Sequence, residues 1–303
     1  MYDLIIIGAG PSGLSAALYA GRFRMDTLVV GEIPGGLMVN TNLIENYPGF
    51  LQVSGVELTM KMQDQVQNLG IEIKLEPVQK VAKLKNGFCV STAKESFESK
   101  LLIFATGGEH RKLGVPGEKE FQNHGVSACA NCDAPLFKDQ QVAVVGGSDT
   151  AARYALLASE YAKHVYIFYR GSELRAEPTL VDILEHTPNI EILYNVNVLE
   201  LKGKKKLEQV VLDNGNTYNI TGFFIAIGQD PQSELAKQLG VKVDTHGGII
   251  IDRLSKTNVK GVYAAGDVTD SPWKQIIVGN AEGAYAAYSA YADLKYIDNS
   301  DSC

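Results

Sequence analysis

The stretch Gly8-Ala9-Gly10-Pro11-Ser12-Gly13 decides the fold of this chain. It follows the apolar run at residues 4–7 and precedes a run of small residues at 14–22. A GxGxxG between a strand and a helix is typical of a dinucleotide-binding turn, because glycine permits the tight turn and lets the backbone approach a pyrophosphate. With the apolar run at 27–30 as a second strand, the pattern predicts a βαβ unit of a parallel sheet.

The same plan recurs from residue 141, where Gly146-Gly147-Ser148-Asp149-Thr150-Ala151 separates an apolar strand from a predicted helix. Short alternating strands follow both units, at 71–91 and at 190–213, and indicate a β-meander after each. The expected fold class is therefore α/β, with two Rossmann-like, three-layer domains that each combine a parallel sheet with a β-meander.

Glycine-rich stretches at 113–117 and around 240–248 are the predicted hinges. They divide the chain into a discontinuous domain, residues 1–114 and 246–303, and an inserted domain, residues 115–245. Near the C-terminus, 261–268 has the pattern of a buried strand that ends in Gly266-Asp267. A carboxylate at the carboxyl end of such a strand lies where ligands bind in open α/β sheets.

The composition excludes several classes of function. The chain has 303 residues, a formal net charge of -7 and four cysteines. An acidic chain with one short basic run, at 202–206, does not indicate a nucleic-acid surface. No apolar run is long enough for a membrane span, and the N-terminus lacks the basic region of a signal peptide. We expect a cytoplasmic protein without nucleic-acid or membrane partners.

The close cysteine pair Cys129 and Cys132 is the strongest chemical signal, and the carboxylate of Asp133 follows it directly. Two intervening residues allow a small redox disulfide, in which a nearby acid delivers a proton to the leaving thiolate. A zinc site would need further paired ligands, whereas the histidines are scattered, so no metal is expected. Two inert cysteines, and a helix-capping role for Asp133, remain as alternatives.

The order of the motifs resembles that of the low-molecular-weight thioredoxin reductases over essentially the whole chain. The motifs are the Gly8 turn, Gly35-Gly36, 44–49, 105–107, 129–133 and 265–267. The resemblance implies a homodimeric flavoenzyme whose discontinuous domain binds FAD. The implied FAD-binding residues are Gly8, Gly10, Pro11, Ser12, Gly13, Gly31, Glu32, Gly36, Asn46, Thr106, Gly107, Gly266, Asp267, Gln275 and Ile276.

The resemblance also implies roles in the second domain. Cys132 would face the flavin, and Cys129 would attack the disulfide of thioredoxin or a thioredoxin-like protein. The NADPH contacts would come from Gly146, Ser148, Asp149, Thr150, Arg170 and Arg175.

Four positions depart from the family pattern: Leu37, where glutamine is common, Ser148 in place of a glycine, and Tyr169 and Gly171 in a segment that commonly reads His-Arg-Arg. A side chain at Ser148 hinders close approach to a pyrophosphate. The departures keep ferredoxin or a deazaflavin open as an alternative donor. A dithiol oxidase using O₂ and a non-catalytic flavin redox sensor are further alternatives.

Overall fold

The computed structural model describes residues 1–41, 44, 46–128 and 130–300, without the side chains of 131–132 and 296–300. The strands are, in chain order, β1 (Tyr2–Ile7), β2 (Thr27–Val30), β3 (Glu72–Lys74), β4 (Lys80–Leu84), β5 (Gly87–Ser91), β6 (Ser96–Phe104), β7 (Gly108–His110), β8 (Val126–Ser127), β9 (Gln141–Val145), β10 (His164–Tyr169), β11 (Ile190–Tyr194), β12 (Val198–Gly203), β13 (Leu207–Leu212), β14 (Thr217–Asn219), β15 (Gly222–Ile225), β16 (Gln229–Pro231) and β17 (Val262–Ala264). The helices are α1 (Pro11–Arg22), α2 (Gly55–Gln67), α3 (Ala130–Asp133), α4 (Asp149–Ser159), α5 (Pro178–Glu185), α6 (Glu234–Lys237) and α7 (Ile276–Ser300).

The chain divides into two compact units, residues 1–109 with 230–303, and residues 110–229. In the first unit, one sheet has the order β3-β2-β1-β6-β5-β4, and β17 pairs with β6. Strand β6 belongs to both parts of this sheet: its later residues pair in parallel with β1, and its earlier residues pair antiparallel with β5. The predicted meander is therefore continuous with the parallel sheet.

The second unit has a parallel sheet in the order β11-β10-β9-β15-β8 and a separate antiparallel sheet, β12-β13-β14. The assignment of residues 190–194 to the meander was wrong. They form β11, whose Ile190 pairs in parallel with Val165 of β10. Helix α5 connects β10 to β11. Strand β11 therefore lies beside β10 and runs parallel to it, as in any βαβ unit.

Both parallel sheets are covered on their two faces, which explains why their strands are continuously apolar. In β1, Leu4 and Ile6 pack with residues of α1 and α7, whereas Ile5 packs with the meander strands on the other face. In β9, Val142 and Val144 pack with α4 and α5, whereas Ala143 packs with β12 and β13. The predicted α/β, three-layer fold class is confirmed.

The boundaries of the compact units differ from the predicted hinges. Residues 230–245 belong to the first unit, not to the inserted one. Ala236 and Val241 are buried in the same core cluster as Ile5, and the side chain of Gln238 accepts a hydrogen bond from the backbone of Val81. The glycines around 240–248 therefore serve turns within a packed unit.

Candidate functional site

The first glycine turn joins β1 to α1 and contains two positions that admit no side chain. Gly8 has φ +119°, and a Cβ there would lie 2.1 Å from the carbonyl oxygen of Ala105. A Cβ on Gly13 would lie 1.9 Å from the carbonyl oxygen of Gly8. These two glycines let the turn close against β6 and let α1 pack against the turn.

The middle glycine, Gly10, has a different reason to be there. Its backbone is extended, with φ -75° and ψ -179°, which any residue can adopt. A Cβ on Gly10 would come no closer than 3.9 Å to another protein atom, the Cα of Gly36. Helix α1 then begins at Pro11 without a side-chain cap. The turn thus leaves open space in front of the amide groups of a helix N-terminus, which fits a pyrophosphate.

Segments distant in sequence meet at this turn. A Cβ on Gly266 would lie 2.2 Å from the hydroxyl of Ser12, so the loop after β17 lies directly against the start of α1. The amide of Gly266 donates to the carboxylate of Glu282 at 2.7 Å, which ties that loop to α7. The structure therefore brings the turn, Gly36 and the loop that carries Asp267 together.

Two of the other predicted flavin contacts also lie side by side. The amide of Asn46 donates to the side-chain oxygen of Gln275 at 3.0 Å, and α7 begins one residue later, at Ile276. The hydroxyl of Thr106 donates to the carbonyl of Gln232 at 2.6 Å. The next residue, Gly107, has φ +67° with no atom within 4 Å of the Cβ position, so that side of the loop is open.

The packing at the end of β2 explains why position 31 is a glycine and not an acidic residue. A Cβ on Gly31 would lie 2.5 Å from the backbone nitrogen of Ala9, so the strand end packs directly on the glycine turn. Glu32, the next residue, is exposed. The carboxylate available to a ribose at this strand end therefore belongs to Glu32.

Asp267 is a partly buried carboxylate at the carboxyl end of β17. Burial raises its pKa above the usual value, and the positive charge of Lys274 opposes that shift. None of the described residues donates a hydrogen bond to this carboxylate, and Lys274 itself donates to the carbonyl of Thr269 at 2.6 Å. A desolvated carboxylate without a protein donor fits a ligand hydroxyl beside the glycine turn.

The second glycine turn repeats the backbone of the first. Gly146 has φ +144°, and a Cβ there would lie 2.2 Å from the carbonyl oxygen of Ala226, as Gly8 lies against Ala105. Ser148 has an extended backbone, with φ -95° and ψ 175°, close to that of Gly10. The serine is therefore unstrained in the fold, and its Cβ matters only to a ligand that approaches the turn.

The loop after β10 lies against this second turn. The amide of Arg175 donates to the carbonyl of Gly147 at 2.7 Å, and the amide of Glu177 donates to the Asp149 carboxylate at 2.8 Å. Asp149, a predicted nucleotide contact, thus already accepts a hydrogen bond from the protein. The other predicted contacts, Thr150, Arg170 and Arg175, are exposed.

The segment that carries the cysteine pair is held at two described residues, Ala128 before the pair and Ala130 between the two cysteines. Cys129 lies outside the described residues, as does the side chain of Cys132, whose backbone belongs to α3. Ala130 is fully buried in the core cluster that also contains α4. Before the pair, the hydroxyl of Tyr154 on α4 donates to the carbonyl of Ala128 at 3.1 Å.

Asp133 follows the pair and precedes the 3-10 turn Ala134–Phe137. Its side chain makes no capping hydrogen bond to that turn, so the helix-cap alternative is wrong. The carboxylate is only half-buried. It therefore remains available for proton transfer.

Two tyrosines at the site were missed by the sequence reasoning. Tyr154 gives no signal, because one aromatic residue on an amphipathic helix reads as core packing. Tyr169 was seen only as a departure from a motif. Its ring contacts the Cβ positions of Gly147 and Gly171, and the glycine two residues after an aromatic strand end was the available signal.

The part of the chain that the structure describes contains neither a membrane-spanning helix nor a metal-binding cluster. None of its helices is both long and apolar enough to cross a bilayer. No group of three or more His, Cys, Asp or Glu side chains among its residues is placed to hold a metal ion.

Comparisons with known proteins agree with this geometry. Residues 2–288 match the family model "Pyridine nucleotide-disulphide oxidoreductase". The thioredoxin reductase of Listeria monocytogenes is 37% identical, over 98% of this chain and 94% of its own length. The crystal structure of Lactococcus lactis thioredoxin reductase superposes with a TM-score of 0.91 at 37% identity, covering 98% of this chain and all of the other. A ferredoxin-flavin thioredoxin reductase from Clostridium acetobutylicum has a TM-score of 0.53 at 32% identity, covering 97% and 98% of the two chains.

Two glycine turns on parallel sheets, with a cysteine pair in the second unit, define a pyridine nucleotide-disulphide oxidoreductase. Within that class, the chain belongs to the thioredoxin reductase family. The family consists of FAD- and NADPH-binding oxidoreductases, so the predicted resemblance, enzyme class and cofactors are confirmed.

The first prediction concerns Asp267. Because its pKa is raised in the folded protein, ionised Asp267 costs stability as the pH rises through that pKa. Asp267→Asn should therefore stabilise the apoprotein at pH 7, and the gain should shrink as the pH falls toward about 4, the ordinary carboxyl range. Flavin affinity should fall by about 10- to 100-fold, since a hydrogen bond to a charged group contributes about 1.5–3 kcal/mol.

Thermal unfolding of the apoprotein at both pH values and flavin titration measure these effects. Asp64→Asn, at an exposed position on α2, is the matched control. An unchanged flavin affinity in Asp267→Asn would contradict the assignment.

The second prediction concerns Tyr154. Burial raises the pKa of Tyr154, so its hydroxyl stays a donor to the Ala128 carbonyl across the working pH range. Tyr154→Phe removes one hydrogen bond, worth about 1 kcal/mol, beside the redox pair. We expect disulfide reduction to slow several-fold while flavin content stays constant. Tyr161→Phe, just beyond the end of α4, is the control, and equal effects of the two variants would argue against a local role.

Proposed function

We propose that this chain passes electron pairs from NADPH through FAD and the Cys129–Cys132 disulfide to thioredoxin or a similar small redox protein. The strongest support for this proposal is the arrangement of the first glycine turn and the loop after β17 in the first unit. Open space at Gly10 faces the start of α1, and the desolvated Asp267 stands in the loop packed against Ser12. That donor set suits the pyrophosphate and ribose of a dinucleotide.

We assign the two compact units to the two nucleotides. The first unit would hold FAD through Gly8, Gly10, Pro11, Ser12, Gly13, Gly31, Glu32, Gly36, Asn46, Thr106, Gly107, Gly266, Asp267, Gln275 and Ile276. The second would hold NADPH through Gly146, Ser148, Asp149, Thr150, Arg170 and Arg175, and it carries the redox cysteines. The duplicated turns support this assignment, since each provides the same backbone path at the end of a parallel strand.

Bound FAD supplies two-electron transfer between the nucleotide and the cysteine pair. The remaining chemistry belongs to the chain. The Cys129 thiolate attacks the target disulfide, which forms a mixed disulfide and releases one target thiolate. Asp133 delivers the proton that this thiolate takes up. The Cys132 thiolate then attacks the Cys129 sulfur, which releases the second target sulfur as a thiolate and closes the Cys129–Cys132 disulfide.

A different donor is the second candidate. Ser148 adds a side chain where Gly10 has none in the first turn, and Asp149 is already engaged by Glu177. Both observations weaken the nucleotide site relative to the flavin site. The relative from Clostridium acetobutylicum is named a ferredoxin-flavin thioredoxin reductase. The same relay with ferredoxin or a deazaflavin as donor is therefore the alternative.

An anaerobic titration of the holoenzyme distinguishes NADPH from the alternative electron donors. NADPH should bleach the flavin absorbance and support the reduction of thioredoxin; bleaching only by reduced ferredoxin or a low-potential reductant would favour the alternative.

Cys132→Ser should abolish thioredoxin reduction while flavin content and bleaching persist, because the mixed disulfide cannot be resolved. Cys89→Ser, at a half-buried position on β5, should keep full activity. Turnover by Cys132→Ser would refute the relay.

We also propose a cytoplasmic homodimer, since a reducing compartment suits a dithiol relay. Helix α7 exposes Ile277, Tyr285 and Tyr288, apolar side chains of the kind that a second copy covers. Sedimentation velocity should give about twice the 32.8 kDa chain mass. Tyr285→Lys together with Tyr288→Lys should shift the protein to monomer if this face is the interface; a monomeric wild type would refute the dimer.

A further inference from the structure

We propose that Tyr169 is a specificity-determining residue of the second glycine turn. Its ring restricts position 171 to glycine and thereby limits the positive charge available to the 2′-phosphate of an adenine dinucleotide. The inference rests on the proposed function, in which the second unit binds the donor nucleotide.

The ring of Tyr169 contacts the Cβ positions of two glycines. A Cβ on Gly147 would lie 2.3 Å from its Cε2 atom, and a Cβ on Gly171 would lie 2.7 Å from its Cε1 atom. Both distances are far inside van der Waals contact. Both glycines therefore contact the same ring, Gly147 on its Cε2 side and Gly171 on its Cε1 side. A side chain at position 171 would overlap the ring where it now lies, so glycine fits this position beside Tyr169.

The surrounding backbone fixes this arrangement. The carbonyl of Tyr169 accepts a hydrogen bond from Val196 at 3.2 Å, and that of Gly171 accepts one from Asn195 at 3.0 Å. The tyrosine side chain is 9% exposed, so it is packed in place. The ring is thus buried, and the backbone on both sides of Arg170 is held by hydrogen bonds.

The charge of the loop follows from this packing. Arg170 and Arg175 are exposed on either side of position 171 in the sequence, and a cationic side chain at position 171 itself would overlap the Tyr169 ring. The strand end also lacks a carboxylate that would select the unphosphorylated ribose of NADH. We therefore expect the wild-type site to favour 2′-phosphorylated nucleotides only modestly. Adding an arginine should raise that preference about tenfold or more, as a charge-assisted hydrogen bond can do.

The test is a double-mutant cycle on the holoenzyme with Tyr169→His, Gly171→Arg and both. Calorimetry measures the binding of 2′,5′-ADP and 5′-AMP. Stopped-flow measurements of flavin bleaching give the ratio of the flavin reduction rates with NADPH and with NADH. The double variant should bind 2′,5′-ADP at least about tenfold more tightly, with 5′-AMP unchanged. Gly171→Arg alone should gain less than about threefold and lose thermal stability. Ser172→Arg, at the adjacent exposed position, is the control for added charge.

If Gly171→Arg does not fold, Gly171→Ala tests the same contact. It should lower the melting temperature in the wild-type background and be tolerated beside Tyr169→His. An equal gain in 2′,5′-ADP affinity from Gly171→Arg with or without Tyr169 would overturn the inference, as would no gain in the double variant. Thioredoxin reduction by dithionite-reduced enzyme reports on the proposed function separately, because it needs no nucleotide.

Discussion

The architecture depends on one close backbone contact, made once in each unit. At Gly8 and at Gly146, the turn after a parallel strand passes so near the carbonyl of Ala105 or Ala226 that a Cβ would overlap it. Each contact brings the turn onto the end of a neighbouring parallel strand, where the N-terminus of α1 or α4 follows directly. The ligand-facing geometry of both units is therefore fixed by chain sterics, without any side chain taking part.

The two turns also separate what folding requires from what a ligand requires. Gly8 and Gly146 have φ values that disfavour other residues, and their Cβ positions are filled by protein. Gly10 and Ser148 share an extended backbone that imposes no choice of residue. Neither the backbone conformation nor the packing requires glycine at position 10. We therefore attribute this glycine to the close approach of a ligand. Ser148 holds the corresponding position in the second turn with an extended backbone like that of Gly10, so the serine fits the same backbone path.

Much of this was predictable from sequence. The strand at Thr27–Val30 is predicted with its observed bounds, because a β-branched and apolar run between Asp26 and Gly31 leaves little choice of strand ends. The family resemblance implied flavin contacts at Asn46 and Gln275, but no local pattern predicted that these two side chains would be hydrogen-bonded to each other. The errors have physical causes: glycine content marks turns but does not reveal that Ala236 is buried in the first unit, and periodicity cannot show that residues 190–194 extend the parallel sheet.

One helix links the two halves of the chemistry in the second unit. Helix α4 starts directly after Ser148, and Ala151 and Ala152 in its first turn share a core cluster with Ala130 of the redox segment. One turn further on, Tyr154 holds the carbonyl of Ala128. Ala128 and Ala130, which flank Cys129 in the sequence, are thus held by the same helix that begins at the second glycine turn. We therefore expect substitutions in the first turns of α4 to affect the proposed nucleotide site and the thiol chemistry together, whereas substitutions around Asp267, in the other unit, should affect the proposed flavin site.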